Sequence, residues 1–230
     1  MEQFDQIASI IALTMGAAWA SGINLYAAIF MLGFMGSTGN IDLPPGLETL
    51  SNPLVLVAAG VMYCIEFFAD KIPGVDSSWD MMHTFVRVPA GAMMAMGAVG
   101  EMDPAVGLAA GILGGGLAAA THVTKAGSRA LINTSPEPFS NWTASVMEDV
   151  AVVAGLWTAL NHPALFIVLL LLFIVLMIWL LPRLWRGIKV VFSKIRNLFG
   201  GKEELPPPDP LAGAQAQGQV LPKTTEPPDK

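Results

Sequence analysis

The sequence predicts an all-α, polytopic membrane protein of about six transmembrane helices, and three observations lead there. Hydrophobic residues make up 53% of the 230 positions and charged residues only 13%, a balance suited to lipid rather than to a water-facing surface. The apolar residues gather in long runs, and a bilayer core of about 30 Å is crossed by roughly 20 residues at about 1.5 Å each. Once those runs are read as spans, all twelve Lys and Arg residues fall toward one membrane face, as the bias toward basic cytoplasmic loops requires.

Six runs qualify as spans: 7–36, 53–69, 82–99, 104–121, 142–160 and 163–181. The first holds no charge and is longer than one straight crossing needs. Either Ser21-Gly22-Ile23-Asn24 breaks it into two half-helices, or the helix tilts. With the N-terminus inside, the outer segments 37–52, 100–103 and 161–162 carry Asp42, Glu48, Glu101 and Asp103 and no Lys or Arg. Lys71, Lys125, Arg129 and the basic tail then lie inside, with Arg87 close by. Six spans with both termini cytoplasmic therefore satisfy every basic residue, in the cytoplasmic membrane of a bacterium. The acidic start, with Glu2 and Asp5, lacks the basic region of a cleaved leader, so the first run reads as a retained span.

Residues 1–182 form the transmembrane domain in this reading. Over 183–200 the apolar period becomes 3.6: Leu184, Ile188, Val191, Ile195 and Leu198 share a face, and basic residues occupy most of the rest. The pattern predicts an amphipathic helix on the anionic inner leaflet, with the flank of a stop-transfer segment as the plainer alternative. Residues 201–230, rich in Pro, Ala, Gln and Gly, bury too little apolar area to order and read as a disordered tail.

Pro73, Ser77 and Trp79 recur as Pro136, Ser140 and Trp142, an offset of 63 residues, each set between two apolar runs. In this frame Glu66 matches Arg129 and Asp70 matches Asn133. The first helix–loop–helix unit has acid before its loop and base (Arg87) after it. The second reverses the order, with Glu148 and Asp149 last. Two spans per unit make the repeat parallel, whereas a re-entrant loop makes it inverted; sequence leaves both open.

The ionisable residues of the apolar region pair at i, i+4: Glu66 with Asp70, His83 with Arg87, Lys125 with Arg129, with His122 beside the last pair. A charge near the bilayer centre costs at least about 2.5–3.5 kcal/mol, so these groups face inward, pair, or line water. The candidate substrate- or ion-binding set is Glu66, Asp70, His83, Arg87, His122, Lys125, Arg129, Glu148 and Asp149, with Asn24 and Asn141 as polar contacts. Glu66 and Glu148 are expected to couple protons or cations, and Arg87, Lys125 and Arg129 to hold an anionic group. His83 and His122 fit proton shuttles. The structural alternative is a set of interhelical salt bridges, the favoured reading for Asp70, Lys71, Asp76 and Asp80 at the loop edge.

Other chemistry finds no motif. There is no Gly-x-Ser-x-Gly elbow and no His-Glu-x-x-His, so neither a catalytic residue nor a metal or cofactor site is expected. Cys64 reads as a packing residue, and no basic surface domain points to nucleic acid. The Gly- and Ala-rich stretch 111–120 allows close helix packing.

Several segments carry a resemblance. Ser21-Gly-Ile-Asn-Leu-Tyr26, Asp42-Leu-Pro-Pro-Gly-Leu-Glu48, Glu66-Phe-Phe-Ala-Asp-Lys-Ile-Pro73, Val75-Asp-Ser77, His122-Val-Thr-Lys-Ala-Gly127 and Ser135-Pro-Glu-Pro-Phe-Ser-Asn-Trp142 resemble the bacterial membrane family catalogued as domain of unknown function 4126, over roughly 10–182. The resemblance implies a polytopic protein and brings no functional residue. The expected function is therefore a transporter or permease for an ionic or amphiphilic small molecule. A lipid-phosphate translocase and a non-transporting membrane scaffold, either as a homo-oligomer or alone, are the competing expectations.

Overall fold

A computed structural model describes residues 2–72, 74–134 and 139–199. The expected tail 201–230 lies outside these. The described residues contain no strand and six long helices: α1 Glu2–Ser37, α2 Pro53–Ala69, α3 Val75–Ala98, α4 Pro104–Ile132, α5 Phe139–Asn161 and α6 Pro163–Phe199, with a 3-10 helix at Pro45–Ser51 before α2. The starts of α2 and α4 are marked by Pro at the first helical position and by side-chain caps. Asn52 accepts from the Leu54 N–H at 2.9 Å, and Asp103 from that of Ala105 at 2.7 Å, satisfying orphan amide groups. Helices α3, α4 and α5 each reach beyond their apolar runs, so the charged loop edges are themselves helical.

Among the described residues, four helices are long and apolar enough to cross a membrane: α1, α4, α5 and residues 163–190 of α6. The 3-10 helix and α2 qualify only together, bent by 68°. Helix α3, which carries Asp76, Asp80, His83 and Arg87, does not qualify. Length and apolarity thus support four to five crossings rather than six.

The chain divides into two compact units, 1–190 and 191–230, and of the second only the last turns of α6, residues 191–199, are described. In the first unit α1 is central. Its first half is antiparallel to α3: Ser21 approaches the Arg87 carbonyl at 3.5 Å, while Thr14 and Met15 share a pocket with Val99. It is parallel to α4, with Gly22 against Ala118 and Ile7 near Val106. It is antiparallel to α5, with Trp19 against Gly155 and Asp5 near His162.

At Asn24 the backbone leaves the helix (φ −145°, ψ 98°), so the break alternative holds. If α1 ran straight on, Gly33 would lie about 18 Å beyond Ser21, in the direction away from Gly97. Yet the 3-10 helix touches Gly97 through Gly46 and Gly33 through Leu50, positions only about 8 Å apart at the 3-10 rise. The second half of α1 therefore turns back. It runs antiparallel to α2, with Phe30 on Gly60 and Gly33 on Leu56. At Gly46 and Gly97 the backbones meet so closely that a Cβ on Gly46 would sit 2.6 Å from the Gly97 Cα.

This fold-back corrects the expected placement of the N-terminus. The first run holds two helical segments of opposite direction, so the start of α1 lies at the same end as the 99–103 and 161–163 turns, not opposite them. The stretch 111–120 does serve packing: Gly111, Gly114 and Gly115 lie against Met96, Ala95 and Ala92 of α3. Helix α6 stands further off. Its contacts run through large side chains, Phe166 and Phe173 edge-on to Trp19, and Leu184 and Ile188 beside Gly127 of α4. It passes Pro182 unbroken, so the stretch that begins the expected interfacial helix packs on α4. The side chains of Val191, Ile195 and Leu198 lie outside the described residues. Cys64 is exposed on α2 rather than packed in the core.

Candidate functional site

The break in α1, the end of α2, the start of α3, the end of α4 and the start of α5 converge on one network of buried charges. Glu66 and Arg87 are fully buried and pair at 2.6 Å. Arg87 also reaches Asp80 at 2.9 Å. Arg129, equally buried, grips both oxygens of Glu148, through Nη2 at 2.6 Å and Nε at 3.1 Å. It further donates to the carbonyls of Asp70 and Asn141, each at 3.1 Å. Lys125 sits between these pairs, with Nζ 2.9 Å from Asp70, 3.5 Å from Glu66, 3.6 Å from Glu148 and 3.7 Å from Asp80.

The α2–α3 and α4–α5 helix–loop–helix segments are each closed by an ion pair of the same length, Glu66–Arg87 and Arg129–Glu148, both at 2.6 Å. Their tips also meet: Asn133 donates to both oxygens of Asp76, at 2.9 and 2.8 Å, and the Trp142 indole donates to the Lys71 carbonyl at 3.1 Å. Lys71 stands in the loop after α2, where desolvation holds its ammonium below the usual lysine range. Its Nζ donates to the Phe67 carbonyl at 3.0 Å.

The helix break joins the network directly. The first half of α1 ends at Ile23, whose carbonyl accepts from Lys125 Nζ at 3.1 Å, so a cation meets the negative end of that helix. Asn24 caps the second half by accepting from the Ala27 N–H at 3.0 Å and donates to Asp149 at 3.0 Å. His122 accepts from Arg87 Nη1 at 3.0 Å through Nδ1. Arginine can only donate, which leaves the His122 Nε2–H for Thr84, 2.7 Å away.

Of the residues proposed from sequence, Glu66, Asp70, Arg87, His122, Lys125, Arg129, Asn141 and Glu148 share this network, and Asn24 and Asp149 adjoin it. His83 stands apart, hydrogen-bonded to Tyr26 at 3.1 Å and stacked on Trp79. Asp80 is the residue that loop-edge reasoning underrated. Its i, i+7 spacing from Arg87, two turns along one helical face, was the signal available.

Two electrostatic facts stand out. Four carboxylates (Glu66, Asp70, Asp80, Glu148) face three cations (Arg87, Lys125, Arg129), a surplus of one negative charge. Adding Asp149 and Lys71 leaves the surplus unchanged. Oxygens Glu66 Oε2, Asp70 Oδ1, Asp80 Oδ2 and Asp149 Oδ2 are buried and accept no hydrogen bond from the described residues. Only Glu148 offers the network an outlet, with 19% of its side chain exposed against at most 4% for its partners. It borders a pocket of about 300 Å³ with Lys125.

No curated protein and no solved structure matches the chain. One family does, over residues 11–183, which takes in every residue of the network and the break in α1. By that match the chain belongs to the family described as Domain of unknown function (DUF4126).

Proposed function

We propose that the protein is a multi-pass transporter of the bacterial cytoplasmic membrane, moving an ionic or amphiphilic small molecule with proton coupling on the Glu66–Glu148 network. The observation behind this reading is the buried surplus of carboxylate at a broken helix. Buried ion pairs contribute little net stability, because desolvation offsets most of their attraction. An extra buried negative charge is costlier still, and a proton on one of the idle carboxylate oxygens is the smallest species that relieves it. A metal ion fits less well, since no group of three or more His, Cys, Asp or Glu ligands with metal-holding geometry occurs among the described residues. Discontinuous helices that aim their ends at an ion site are a recurring transporter device. Holding an anion through Arg87, Lys125 and Arg129 is disfavoured, since their charges already face carboxylates.

The test is proton movement in liposomes. With a pH-sensitive dye inside, wild-type protein is expected to relax an imposed pH gradient, and Glu66→Gln to slow that at least about tenfold while remaining folded. Here Arg87, Lys125, Asp70, Asp80, Tyr26 and Tyr63 are the titratable groups around Glu66. Full rates in both Glu66→Gln and Glu148→Gln would remove the reading.

Orientation follows from charge. The helix tips with Lys71 and the end with Arg183 and Arg186 face the cytoplasm, which puts the acidic N-terminus outside. A cysteine at position 2 in a Cys64→Ser background should react with an impermeant maleimide in intact cells. Reaction only after permeabilisation would return the N-terminus to the inside.

A further inference from the structure

Resting on the transport reading, we infer that the cleft between α1, α4, α5 and α6 binds a lipophilic organic cation, a positively charged nitrogen or phosphorus centre carrying an apolar body. The cleft has two lobes of about 300 and 240 Å³ that share Trp19, Ala151 and Phe173. The larger lobe has a polar end. There the Thr121, Thr124 and Ser128 hydroxyls donate to backbone carbonyls within α4, at 2.8 Å each. Toward the cleft they can therefore only accept. Glu148, the one carboxylate of the network with appreciable exposure, closes this end; Arg129 takes one lone pair on each of its oxygens, and each oxygen can accept once more from the cleft.

Lys125 also lines this wall, but its ammonium is turned to Asp70 and the Ile23 carbonyl. Behind it stands the network's surplus negative charge. Acceptors, a carboxylate and a negative background recognise a cation and repel an anion. The flanking aromatic pair supports the same sign: Trp19 and Phe173 lie edge to face, 6.0 Å apart, and ring faces attract cations, more strongly when desolvated.

The second lobe, walled by Gly155, Leu170 and Phe166 among others, supplies room for the apolar body. Entry is lateral. Helix α6 meets the bundle through long side chains, and its outer face, with Val168, Leu171 and Val175, is exposed. A ligand that partitions into the bilayer reaches the cleft without crossing water.

The probe pair is tetraphenylphosphonium and tetraphenylborate, which share shape and differ in charge sign. By equilibrium dialysis on the full chain, the phosphonium is expected to bind at least tenfold more tightly than the borate. Glu148→Gln should weaken the phosphonium at least tenfold and leave the borate unchanged or stronger. Ala151→Trp, which fills the junction of the lobes, should remove binding of both ions, with thermal melting confirming that each variant folds. Equal binding of the two ions, an unaffected Glu148→Gln, or no phosphonium binding by wild type would overturn the inference. Proton movement that still depends on Glu66 would then leave the transport reading intact, whereas phosphonium binding without such movement would sink the transport reading alone.

Discussion

Arg87→Met is expected to destabilise the purified protein by about 3–5 kcal/mol, the usual cost of breaking a buried ion pair from one side. A domain's whole stability is only about 5–15 kcal/mol, so the variant should melt far below wild type or fail to purify as a single species. The cause is specific. Glu66 and Asp80 both spend a charge on Arg87, at 2.6 and 2.9 Å, and all three side chains are at most 1% exposed. Without the guanidinium, two carboxylates face each other in an apolar surround with Lys125 alone between them. Adding Glu66→Gln and Asp80→Asn to Arg87→Met should recover most of the loss, since neutral amides remove the repulsion. A single variant that melts like wild type would mean that water reaches these groups.

Lys125→Met is expected to have a comparable effect through a different route. Its ammonium lies within 4 Å of four carboxylates on three helices, and it also holds the Ile23 carbonyl at the end of the first half of α1. Losing it doubles the surplus of negative charge and leaves that helix end unsatisfied. Unfolding measurements should show a loss of about 3–5 kcal/mol, partly restored by Glu66→Gln or Asp70→Asn. Lys125→Arg should restore less than those amides, because a planar fork cannot take the place of a point charge shared among four oxygens. Full recovery with arginine would show that only the net charge at this position matters.

Much of this molecule was legible in its sequence, and the parts that were not share a physical reason. Apolar runs located the six long helices of the described residues, although α3 is too polar to qualify as a crossing. The i, i+4 charge pairs located the network because buried charges need partners. The break near Asn24 was visible as polar and small residues inside an apolar run, but its direction was not. That direction depends on Gly46 and Gly97 meeting far along the chain, and a long-range contact leaves no local pattern. Counting spans by parity then placed the N-terminus at the wrong end. Asp80 was placed at the loop edge because helix α3 begins earlier than its apolar run does, and its partner Arg87 lies two turns away.

The character of α3 bears on how the protein is made. A nascent segment carrying Asp76, Asp80, His83 and Arg87 has little reason to leave an aqueous translocation channel for lipid on its own, at about 2.5–3.5 kcal/mol per charged group. Glu66 is already synthesised when α3 emerges and neutralises Arg87 alone. Lys125 is not, being 38 residues further on than Arg87. The ion pairs around Asp80 of α3 are therefore complete only once α4 has been made, and the ribosome delivers the second cation after the helix that depends on it.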